Sequence, residues 1–93
     1  MIEYEWDSAK YLLNLEKHKA DFIDGKFIYE HECKITLQNM RDGEMRYMDI
    51  APLNDRLMVL IYVVRGGVIR IISFRKAHNP KEIDLYNQTR KDD

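Results

Sequence analysis

Apolar and polar residues follow two rhythms along the chain, and the change falls near Cys33. Before it the spacing is helical. Ala9 to Lys19 contains neither Gly nor Pro, and Leu12, Leu13 and Leu15 give it an apolar side. Asp7 just ahead is a good N-cap. Lys10, Asn14, Lys17 and His18 recur at three- and four-residue spacings, so they share a polar ridge on this helix. A second, shorter helix is expected from about Asp21, with Phe22, Ile23 and Phe27 inward. Gly25 weakens it by up to ~1 kcal/mol relative to Ala.

After Cys33 the rhythm is that of strands. Lys34 to Gln38 alternates polar with apolar, Asn39 to Gly43 reads as a turn, and Arg46 to Ile50 is a second strand. Pro52 to Asp55 turns the chain again. Leu57 to Arg65 is apolar on both faces, which predicts a central, covered strand, and Val68 to Phe74 is the fourth. Gly66-Gly67 between them suits a two-residue hairpin. That turn sets Arg65 opposite Val68 and Val63 opposite Arg70, so Arg65 and Arg70 share a face; unbroken alternation puts Arg75 on the other. Asn79-Pro80-Lys81-Glu82 then carries the cap, Pro and Glu signals of a helix start, and the helix runs to about Arg90. The expectation is an α+β fold: two N-terminal helices, a four-stranded antiparallel sheet and a C-terminal helix.

With 93 residues the chain is expected to form one domain. The longest apolar run, Leu57 to Val64, is far below the ~20 residues that span a bilayer. The acidic start, Met1 to Asp7, has no apolar core of a signal peptide. Cys33 is the single cysteine, which excludes an internal disulfide framework and fits a reducing, cytoplasmic setting.

The net charge of −1 conceals an asymmetry. Residues 1–50 carry seven Lys or Arg against eleven Asp or Glu, and residues 51–93 carry eight against five. From Arg56 to Lys81 there are six basic residues and no acid; four of the six are Arg56, Arg65, Arg70 and Arg75. A guanidinium is a planar fork of donors that fits phosphate oxygens. This basic stretch reads either as a local anion site or as a charged strand edge that prevents edge-to-edge pairing.

Several chemistries are excluded by spacing. His31-x-Cys33 is not a zinc spacing and no Cys pair accompanies it, so no metal or other cofactor is expected. Gly66-Gly67 alone makes no phosphate-binding loop, and no Gly-x-Ser-x-Gly elbow occurs. His18 has two readings, a cation at a helix C-terminus or a proton carrier titrating near neutrality. Trp6 anchors the start of the first helix or offers a ring for a base to stack on, and Tyr62 and Tyr86 divide the same way. RNA is the substrate class that suits arginines on a sheet face beside a His or Lys. It carries its own nucleophile, the 2′-OH, and needs only proton carriers and fixed cations.

Two blocks resemble a known family. Glu5-Trp6-Asp7-x-x-Lys10-x-x-x-Asn14-x-x-Lys17-His18-x-x-x-Phe22 resembles the N-terminal signature of the BrnT toxins. Arg70-Ile71-Ile72-Ser73-x-Arg75-x-Ala77, followed by Glu82 and Tyr86 and preceded by Arg65, resembles the C-terminal one. The resemblance implies a RelE-like fold and a ribonuclease toxin of a type II toxin–antitoxin pair, one that cuts RNA without a metal and arrests translation and growth. It implies a BrnA-like antitoxin with a ribbon-helix-helix half as partner, DNA contact only through that partner, and a heterotetramer of two toxins and two antitoxins. On that resemblance Arg46, Arg65, Arg70 and Arg75 bind phosphate and stabilise the transition state. Lys17 and His18 are the proton-transfer candidates, and Trp6, Lys10 and Tyr86 contact substrate. The chain departs from the family at Met45-Arg46, where an acid often precedes the Arg, and at Ala51-Pro52, where a Gly is frequent. Arg75 becomes structural if an acid pairs with it. The alternative to an active enzyme is an attenuated homologue that binds an antitoxin and regulates transcription.

Overall fold

The computed structural model describes residues 1–91, with side chains through residue 89. In chain order the elements are β1 (Tyr4–Trp6), α1 (Ser8–His18), a 3₁₀ turn (Phe22–Asp24), α2 (Gly25–Tyr29), β2 (Ile35–Arg41), β3 (Glu44–Leu53), β4 (Arg56–Arg65), β5 (Val68–Lys76) and α3 (Pro80–Lys91). The sheet order is β1-β5-β4-β3-β2. β1 runs parallel to β5, and the other neighbours are antiparallel.

The expected four-stranded antiparallel sheet with two N-terminal helices is therefore corrected. The sheet has five strands and is mixed. The fifth strand is three residues long and pairs with a segment more than sixty positions away, Glu5 opposite Arg70, so no local turn signals it. It covers part of the β5 edge that a four-stranded sheet would leave bare. The expected second helix is a 3₁₀ turn leading into the five residues of α2. Gly25 stands at that junction because the backbone lies close to the sheet: a Cβ there would fall 2.9 Å from Leu60 Cδ1.

Local signals placed several other boundaries, although β2 runs on to Arg41 and β3 to Leu53, into the segments expected as the turns Asn39 to Gly43 and Pro52 to Asp55. The Asp7 side chain accepts the Lys10 N–H at 3.0 Å and starts α1, and Lys19 ends it in the left-handed region. All three hairpins turn on two residues of positive φ, Asp42-Gly43, Asn54-Asp55 and Gly66-Gly67, as tight primed turns require. Asn79 Oδ1 accepts the Lys81 N–H at 2.9 Å at the start of α3.

The main core lies on one sheet face under α1, the 3₁₀ turn and α2. Phe22, Ile28, Leu60, Tyr62, Ile69, Ile71 and Phe74 are buried there. Asp49 is fully buried on this face and is compensated by the Lys34 ammonium and the Thr36 hydroxyl, both at 2.7 Å. On the opposite face α3 covers a smaller cluster of Ile50, Val59, Ala77 and Tyr86. α3 covers only one end of that face.

Helix α1 sits at the sheet edge with an unexpected side inward. Leu12 and Leu13 are 62 % and 66 % exposed, whereas Asn14 is buried. The Asn14 amide takes the place of a neighbouring strand on β5, donating to the Phe74 carbonyl at 2.7 Å and accepting the Phe74 N–H at 3.2 Å. β1 has ended three residues earlier on β5, opposite Ile71, so these main-chain groups would otherwise lack partners.

Candidate functional site

The end of the sheet face beyond α3 gathers charge by register. Strand alternation and the β4–β5 pairing, Arg65 with Val68 and Val63 with Arg70, put Arg65 and Arg70 on one side as expected. Continuing the β3–β4 register by one residue sets Arg46 beside Val63. Arg46, Arg65 and Arg70 thus surround Val63, with diagonal neighbours roughly 7–8 Å apart. Val63 is only 2 % exposed although it belongs to neither apolar cluster. Its neighbours by register on this face are Arg46 and Arg70, with Arg65 two residues on along β4.

Carboxylates enter the same group. Glu44 forms a bidentate pair with Arg65, at 2.8 Å from Nε and 2.9 Å from Nη2. Glu5 accepts from Nη1 of Arg70. Arg41 lies opposite Glu44 in the hairpin register. The hydrogen bond from Arg65, followed by the charges of Arg65, Arg46 and Arg70, holds the Glu44 carboxyl below its ordinary range despite some desolvation. Arg46 has no such acid: its Nε is buried without a hydrogen-bond partner among the described residues.

Arg75 has moved from its expected place. The register slips between Ile61 and Tyr62, a β-bulge, and sets Arg75 opposite Val59. Arg75 therefore shares the face of Arg65 and Arg70 and is not on the opposite one. It is held by Glu82 at the start of α3, Nη1 at 3.0 Å and Nη2 at 2.6 Å. The pair is mostly buried and ties α3 to the sheet.

A cleft of about 650 Å³ at the β5 edge is lined by Lys10, Leu13, Asn14, Glu16, Lys17, His18 and Ile72. The polar ridge read from the sequence is one wall, and the bulged residue Ile72 stands on the other. Arg70 and Arg75 flank Ile72 on β5. The His18 pKa is lowered, first by burial and then by the charges of Lys17, Arg75 and His78. Its imidazole is mostly neutral at pH 7 and can accept a proton there.

The other two expected contact residues sit in packed surroundings. Trp6 stacks on Tyr11 with ring centroids 5.9 Å apart and meets Phe22 edge-on, on the main-core side of the sheet. Tyr86, on α3, is buried against Ile50 and Val59 of the sheet. Glu5, Glu44, Arg41 and Asn14 were given no role in the site by sequence reasoning. The Asp42-Gly43 turn, placed correctly, would have set Arg41 across from Glu44.

Residues 6–82 match the family described as ribonuclease toxin, BrnT, of type II toxin–antitoxin system. The chain belongs to the BrnT family. No curated protein matches it in sequence. BrnT membership makes it a ribonuclease toxin of a type II system, in which a toxin is paired with an antitoxin. The BrnT match takes in Arg46, Arg65, Arg70, Arg75 and the whole α1 ridge, and Glu5 lies one residue outside it. Among the described residues no helix is long and apolar enough to cross a membrane.

Proposed function

We propose that this chain is a metal-independent endoribonuclease whose substrate lies across the arginine face and whose proton transfers occur in the α1 cleft. The observation that carries this reading is the gathering of Arg46, Arg65 and Arg70 at the open end of one sheet face, with Lys17 and His18 in the adjoining cleft. Arg65 and Arg70 hold the phosphate oxygens, and Lys10 guides the backbone into the cleft. The 2′-OH attacks the phosphorus and its proton passes to neutral His18. The P–O5′ bond breaks, and the departing oxygen takes a proton from the Lys17 ammonium. The products are a 2′,3′-cyclic phosphate and a free 5′-OH. The guanidinium groups stabilise the added charge on the phosphorane. Arg75 serves through α3 and through its field on His18, and Trp6 and Tyr86 through packing.

The proposed partner is a BrnA-like antitoxin whose ribbon-helix-helix half supplies all DNA contact, in a heterotetramer of two toxins and two antitoxins. Unopposed, the chain arrests translation and growth in the cytoplasm. Purified protein in EDTA should cleave RNA and leave cyclic phosphate ends, while an all-2′-deoxy oligonucleotide stays intact. Cleavage of the deoxy substrate, or cleavage only with added metal, would refute the mechanism.

A second reading, an antitoxin-binding module without catalysis, is favoured by the carboxylates that occupy Arg65 and Arg70. It predicts tight antitoxin binding with no cleavage and no growth arrest.

A further inference from the structure

Glu5 and Glu44 stand where a polyanion would have to bind. Each is in register with arginine partners: Glu5 opposite Arg70 on β5, Glu44 opposite Arg41 on β2 and joined to Arg65 on β4. The bidentate geometry at Arg65 is the one a phosphate adopts on a guanidinium. Both pairs are partly solvent-exposed, with side-chain exposures of 56 % and 37 % for Arg65 and Glu44, and 29 % and 43 % for Arg70 and Glu5. Exposed pairs contribute little to stability, so an anion of higher charge can displace the carboxylate. A buried pair such as Arg75–Glu82 would not exchange this way. Two residues from Glu44 on β3, and across Val63 from Arg70, is Arg46, whose buried Nε is unsatisfied among the described residues. A buried donor without a partner is costly, and an acceptor brought by a ligand would relieve that cost.

We propose that Glu5 and Glu44 are resident occupants of two phosphate seats, displaced when the RNA backbone binds, and that they set the affinity and selectivity of the arginine face for polyanions. The inference rests on the reading of that face as the RNA site. In the free protein the two carboxylates hold Arg65 through two hydrogen bonds and Arg70 through one. They also offset the local positive charge, so that isolated anions bind poorly. A nucleotide chain that presents two phosphates displaces both carboxylates and reaches Arg46 as well. The seats are therefore specific for a polymer backbone over a single phosphate.

The test is binding of a labelled, all-2′-deoxy oligonucleotide, which occupies the seats without being cut, followed by anisotropy at fixed salt. Glu5→Gln and Glu44→Gln keep side-chain shape and remove the competing charge. Each should tighten binding roughly 3–10-fold, because the competing carboxylate charge is gone. Glu32→Gln changes net charge equally on an exposed loop away from the face and should shift affinity less than 2-fold. Arg65→Ala and Arg70→Ala should each weaken binding. The variants Glu5→Gln and Glu44→Gln should also bind inorganic phosphate measurably better than the parent, read by shifts of the arginine Nε–H signals. If the Gln variants bind no more tightly than Glu32→Gln while the Arg variants lose affinity, the resident-carboxylate idea is overturned and the RNA face stands. If the Arg variants bind as the parent does, the reading of the face itself is overturned.

Discussion

Asn14 on α1 closes the edge of β5 at Phe74, its side-chain amide donating to the carbonyl and accepting from the N–H of the same residue. One side chain thereby stands in for the strand that ends at Trp6, and it fixes the wall of the cleft that holds Lys17 and His18. Asn14→Leu should lose about 1–3 kcal/mol of stability, because it leaves two buried main-chain groups unpaired. Urea denaturation measures this. An unchanged midpoint would mean that α1 is not held at that edge by Asn14.

The helix that Asn14 anchors was legible in outline, and the reason it faces inward with Asn14 was not. Asp7, the Gly66-Gly67 hairpin and the Asn79-Pro80 start are local signals, readable within four residues, and each stands where it was expected. β1 has no such signal, since its only hydrogen-bond partner strand comes at the far end of the chain. Leu12 and Leu13 read as an apolar side, yet a helix at a sheet edge buries the residue that satisfies the edge. The bulge at Ile72 was equally silent, and one extra residue moved Arg75 to the other face. The role of the acids is not visible along the chain, because their arginine partners are distant in sequence. Across the sheet, Glu5 and Glu44 are neighbours of Arg70 and Arg65.

Arg75 and Glu82 set an acid limit on stability. The Arg75 hydrogen bonds come first among the influences that hold the Glu82 carboxyl below 4.5, against a smaller effect of desolvation. A depressed carboxylate adds stability above its unfolded pKa. That contribution is therefore complete at neutral pH, begins to fall below about 4.5, and is gone once pH passes the lowered native value. Glu82→Gln should cost about 1–3 kcal/mol at pH 7 and less at pH 3. A cost equal at both pH values would contradict the ion pair.

His18 should impose the acid limb of the cleavage profile. Because burial and the cations Lys17, Arg75 and His78 lower its pKa from 6.5, the base form persists to mildly acidic pH. The midpoint of the limb in kcat/KM is expected below 6.5, and His78→Gln should move it upward. His18→Ala should slow cleavage about 10²–10⁴-fold. A profile whose acid limb survives in His18→Ala would assign the proton to another group.

Gly25 is fixed by contact with the sheet. Its Cβ would lie 2.9 Å from Leu60 Cδ1 and 3.3 Å from Ile71 Cδ1. Alanine would favour the helix by about 1 kcal/mol, but pressing two core side chains aside costs about 1–3 kcal/mol. Gly25→Ala should therefore be neutral to destabilising. A rise in thermal midpoint would show that α2 has room to lift.

The central claim is that Arg65 and Arg70 engage the scissile region of RNA. Its most direct test is the single-turnover cleavage rate of Arg65→Ala and Arg70→Ala in EDTA, with folding checked by circular dichroism. Each substitution should slow cleavage about 10²–10³-fold while the protein remains folded. Folded variants that cleave at the parent rate would contradict it.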